Sequence, residues 1–144
     1  MPRVELWMTM FAGLSGGLAG VLWSGLVTAP WLARGGAVAG AAASETATRV
    51  FAGAALRATA GATLGLLFWL GWGLIAIVGL PWYAVGLLYG TITWAGVVAP
   101  ALGTLLLHTP GSVQVQAVAA HAAEWLFTCL AIGLLCAFAW HRYA

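Results

Sequence analysis

The sequence predicts an all-α fold: an integral membrane four-helix bundle with two tight helical hairpins joined by one long connection. Three observations predict it. The 144 residues are 63% hydrophobic and only 6% charged, against roughly 25% charged in ordinary soluble domains. The charged residues, with no lysine among them, are Arg3, Glu5, Arg34, Glu45, Arg49, Arg57, Glu124 and Arg142. Between them lie four apolar runs of about 20 or more residues, enough to cross a hydrocarbon core as helix. A soluble fold would have no polar surface to keep it dispersed.

The four spans form one transmembrane domain over 1–144, at about 6–31, 56–78, 82–107 and 113–140. The first is laced with glycine and closed by Pro30. It is too long and glycine-rich for a signal peptide, so it reads as a mature helix. The long connection, 33–55, is rich in small residues, and Ser44-Glu45 resembles a helix start. A second helix from Glu45 to Val78 would be about 50 Å long, more than one bilayer needs. Gly79-Leu-Pro81 pairs a helix stop with a helix start, which predicts the first hairpin. Pro100 should kink the third helix, since it deprives Gly96 of a backbone partner. Pro110 and Gly111 suit a type II turn, and Ser112 can cap the fourth helix, which predicts the second hairpin. Arginines number three on the long-loop side and two on the other, too even to fix orientation.

Small residues four apart form grooves that let helices approach closely, a main source of association in lipid. Such grooves contain Gly13, Gly16, Gly17 and Gly20 in the first span, Gly61 and Gly65 in the second, and Gly86 and Gly90 in the third. They can join the four helices to one another, or one of them can dock a partner chain. Of nine tryptophans, Trp7, Trp31, Trp82 and Trp140 suit interfacial anchoring. Trp23, Trp69, Trp72, Trp94 and Trp125 lie deeper, either as packing or as a flat surface for a pigment, quinone or sterol-like ligand. Cys129 and Cys136, seven apart on one helix, are too far apart to bond to each other and read as packing residues.

The one polar stripe is on the fourth span. Gln114, His121, Glu124 and Thr128 fall within an arc of roughly 80°. Glu124 lies roughly 18 Å in from the start of its helix, near mid-depth. An ionisable group there is costly and is a site hypothesis by default. The second helix enters from the same side, bearing Arg57. The preferred reading is a buried polar seam in which Arg57 pairs with Glu124 beside His121. The alternative has Arg57 snorkelling to the headgroups and Glu124 protonated against a threonine or backbone oxygen.

The order of elements resembles the YagU-like class of small bacterial four-helix membrane proteins of unknown function. The matching features are the glycine-laced first helix, the long first connection, Gly65-Leu-Leu-Phe68 and Gly86-Leu-Leu-Tyr-Gly90. They continue with Trp94, Pro100-Ala-Leu-Gly103, His121 and Arg142. The chain lacks the proline-rich, charged first connection of that class. The resemblance implies a fold and no activity.

These features suggest a non-enzymatic accessory or scaffold subunit. It would sit in a larger energy-converting, respiratory or photosynthetic complex of a bacterial inner membrane, as a multi-pass protein. Its partners would be the bilayer and other membrane subunits or copies of itself. Nucleic acid is not expected at a net charge of +2. No catalytic residues and no metal site are expected, because no nucleophile–base pair, zinc spacing or phosphate loop is present. The first alternative is a pigment- or haem-binding subunit. His121 could be the axial ligand of a chlorophyll-type pigment or haem, while His108 and His141 lie at span ends. The second is a small proton-coupled channel or transporter using Glu124 and His121, although more polar lining or internal repeats would then be expected.

Overall fold

The protein is described by a computed structural model over residues 2–34, 43–75, 79–108 and 112–143. It is an all-α bundle whose four helical rods are all long and apolar enough to cross a membrane. The first rod is α1 (Pro2–Trp23), a π-helical turn (Ser24–Thr28) and α2 (Ala29–Arg34). The second is α3 (Ala43–Ile75). The third is α4 (Trp82–Thr93), a π-helical turn (Trp94–Val98) and α5 (Ala99–His108). The fourth is α6 (Ser112–Tyr143).

The two π turns have one cause. Each is followed by a proline two residues on, Pro30 or Pro100. Proline has no N–H, and its ring would clash with the carbonyl four residues back. Widening the preceding turn relieves this: the Ala29 N–H bonds to the Ser24 carbonyl, and the Ala99 N–H to the Trp94 carbonyl. Pro30 therefore does not close the first helix, which runs on to Arg34. Pro100 is likewise absorbed by a wide turn that keeps the third rod helical throughout.

The π turns belong to a repeat. Gly16, Gly20, Ala29 and Pro30 recur seventy positions later as Gly86, Gly90, Ala99 and Pro100, with the wide turn at the same place in each rod. Both glycine pairs pack against the same stretch of α6. A Cβ at Gly16 would come within 2.6 Å of the Ile132 backbone, and one at Gly20 would overlap the Thr128 side chain. A Cβ at Gly86 would come within 2.8 Å of the Gly133 carbonyl, and one at Gly90 within 2.6 Å of the Cys129 carbonyl. Thus α6 is clamped between two equivalent glycine ridges. A third seam joins α1 to α3: Gly13 meets Gly61 backbone to backbone, Gly17 meets the Arg57 carbonyl, and Gly65 meets Thr9 and Met10. All eight glycines of the predicted grooves lie at contacts within this chain.

The rods therefore stand side by side in the order α3, α1, α6, α4. Phe68, Val85, Ile132, Cys136 and Ala137 form the buried core at one end. Gly79, with φ of +67°, turns the chain from α3 into α4, and Pro81 caps α4 through a 3.1 Å bond from the Val85 N–H. Yet α3 and α4 do not meet backbone to backbone. They are bridged by Tyr89, whose hydroxyl donates to the Leu64 carbonyl at 2.6 Å and whose ring lies edge-on to Phe68. The first hairpin is thus sequential but splayed. Of the long connection expected over 33–55, residues 33–34 end α2 and 43–55 are the first turns of α3, so the connection shortens to 35–42; those residues and the turn expected at Pro110 and Gly111 lie outside the described residues.

The seams predict a contrast between glycines. Gly61→Ala must push α1 and α3 apart and should cost about 1–3 kcal/mol. Gly103→Ala, with open space at its Cβ, should stay within about 0.5 kcal/mol of wild type. Unfolding in mixed micelles by denaturing detergent measures both.

Candidate functional site

The polar stripe of α6 meets α3 at the level of the two π turns. Glu124 is fully buried, and the Arg57 side chain is only 13% exposed. Arg57 Nη2 is paired with Glu124 Oε1. Helix geometry accounts for the reach. A helical side chain leans toward the N-terminus of its own helix, and Arg57 passes over Gly53, where a Cβ would come within 3.1 Å of Nη1. The guanidinium then lies over the Trp125 ring, 5.2 Å from its centroid. Arg57 therefore does not snorkel; its charge is held between a carboxylate and an indole face.

Glu124 Oε2 faces His121 Nδ1 at 3.4 Å, beyond good hydrogen-bond geometry. The His121 side chain is 47% exposed, on the outer face of α6. Thr128 does not bond the carboxylate. Its hydroxyl donates to the Glu124 backbone carbonyl at 2.8 Å, and its side chain fills the space that Gly20 leaves open. Of the predicted seam, Arg57, His121 and Glu124 come together, and Thr128 lies one turn deeper. The side chain of Gln114 lies outside the described residues. Deeper still, the buried face of α6 is Ile132, Gly133, Cys136 and Ala137, which is apolar.

Both wide turns flank this group. Trp23, just before the first, stacks on Phe127 with ring centroids 4.5 Å apart. Trp94, opening the second, donates its indole N–H to the Ala122 carbonyl at 3.0 Å. Wide turns are frequent at functional positions, and here two of them bracket residues 121–127.

Beside Trp125 the splay of α3 from the third rod opens a lateral cleft of about 510 Å³. Its walls are apolar, from Leu64, Val97, Leu102 and Trp125 among others, interrupted by Thr59, Thr63 and Thr93. Composition gives no sign of this cleft. The repeat was legible in the sequence, at its fixed spacing of seventy, but it emerges only when the two prolines are aligned.

Among the described residues no group of three metal-ligating side chains occurs. His108 and His141 are both remote from His121. The first has Nδ1 2.8 Å from the Thr104 carbonyl, and the second stacks on Trp82. No family model, curated protein or solved structure matches the chain.

Removing one charge of the pair should be worse than removing both. Arg57→Leu or Glu124→Leu alone leaves a buried charge uncompensated and should cost about 3–5 kcal/mol. The double variant should be less destabilised than either single one, so it should recover more than about 3 kcal/mol of the summed loss. A double-mutant cycle in micelles measures the coupling, and simple additivity would show that the two side chains do not interact.

Proposed function

We propose that this protein is a non-enzymatic accessory subunit that works wholly within the bilayer, with the cleft between α3 and the third rod as its binding face. The observation that carries this reading is an asymmetry of packing. Three seams are closed to backbone contact by glycine, while the fourth stands open to the membrane. In lipid there is no general hydrophobic force to draw helices together, so close packing is what association rests on. A bundle welded on three sides and open on the fourth suits a scaffold that receives something apolar from the side. The polar group supports the same reading. Arg57 and Glu124 neutralise one another under α1, and the apolar face of α6 beyond Thr128 gives no continuous lining for an ion or proton path. The repeat relates the two rods that clamp α6, rather than two halves facing a central path.

The eight groove glycines are spent internally, and the cleft takes their place as the surface that invites a partner.

A second reading is favoured by one specific arrangement. His121 turns Nδ1 toward a buried carboxylate 3.4 Å away; closing that gap to a hydrogen bond would hold that nitrogen protonated and leave Nε2 as the free lone pair, as in many metal-ligating histidines. Ala117, Ala119, Ala120, Ala122 and Ala123 surround it in sequence, so a planar group could lie close to the helix. The residues fit a single axial ligand to a chlorophyll-type pigment or haem, not a bis-histidine site.

One preparation tests both. Purified from its native membrane in mild detergent, the chain should co-migrate with at least one other membrane subunit. A colourless, well-behaved monomer would contradict the accessory role. A visible macrocycle band that disappears in His121→Ala would replace it with the second reading.

A further inference from the structure

The cleft is well sized for a lipophilic molecule. The cleft offers about 510 Å³, within the range of about 300–1,000 Å³ usual for small-molecule sites. Its polar groups narrow the class further. A threonine hydroxyl has one proton to donate and two lone pairs to accept with. In all three cleft threonines the proton is already committed to the helix behind it. Thr59 donates to the Ala55 carbonyl at 2.8 Å, Thr63 to the Thr59 carbonyl at 2.9 Å, and Thr93 to the Tyr89 carbonyl at 2.8 Å. What these side chains offer an occupant is therefore acceptor lone pairs. The Trp125 indole is the one lining side chain with an N–H to set against them.

We propose that the cleft binds a lipophilic alcohol, a long or ring-bearing apolar molecule whose hydroxyl donates to the cleft threonines. This rests on the cleft being the protein's binding face. A ketone, ester or ether of the same shape can only accept, and it meets three acceptors and one indole. Bilayer acyl chains compete for the apolar walls but have no donor. A hydroxyl is what separates the specific occupant from the surrounding lipid. Trp125 both lines the cleft and lies under the Arg57 guanidinium, so the ion pair and the cleft share one side chain.

Farnesol serves as the probe. The full chain in lipid nanodiscs is labelled with a photoreactive farnesol analogue and challenged with unlabelled farnesol or farnesyl methyl ether. Label is expected within residues 56–64 and 97–102. Farnesol should displace it about tenfold better than the ether, the value of one net hydrogen bond. Replacing Thr59, Thr63 and Thr93 together by valine should abolish that advantage, whereas replacing them by serine or Trp125 by phenylalanine should keep it. Equal competition by the ether against wild type would overturn the proposal, as would label elsewhere or an advantage that survives in the valine variant. A chain that co-purifies with a partner yet shows no alcohol preference keeps the accessory role and overturns the ligand class. A colourless monomer that shows the preference overturns the accessory role and keeps the ligand class.

Discussion

The Arg57–Glu124 pair is the constraint on which the rest of the structure depends. Neither charge is tolerable alone at this depth, so α3 and α6, on either side of α1, must be held with these two residues at one level. The helix that holds them is α1. Gly17 lies on the Arg57 carbonyl and Gly20 on the Thr128 side chain, so α1 rides across both partners with no side chain of its own in the way. The two wide turns fall at the same level, on either side of the α6 segment that carries Glu124. The pair's net contribution to stability is small compared with its contribution to register, because desolvation offsets most of the attraction.

How much of this was legible in the sequence depends on the kind of physics involved. The spans were legible because a bilayer demands about twenty apolar residues in a row. The Arg57–Glu124 neighbourhood was legible because topology brings α3 and α6 in from the same side and leaves one cation near one anion. The glycine grooves were legible as grooves, but not their partners: Gly16 and Gly20 face α6, while Gly13 and Gly17, on the same helix, face α3. A groove motif carries no label for what lies in it. Pro30 was misleading, because a proline ends a helix only when the turn before it cannot widen.

The cleft was not legible at all. It arises because α4 spends Gly86 and Gly90 on α6 and so turns away from α3, despite the short link between them. Tyr89 bridges the two at one end, and the cleft opens toward the other. The open cleft follows from where the glycines are used up.

The ionisation of Glu124 tests the account most directly. An infrared difference spectrum between wild type and Glu124→Gln, recorded in lipid at neutral pH, isolates that one side chain, because Glu5 and Glu45 cancel. A charged seam paired to Arg57 predicts that the substitution removes an ionised carboxylate stretch. Loss of a protonated carboxylic-acid carbonyl stretch instead would mean that Glu124 is neutral and that Arg57 does not hold α3 in register on α6.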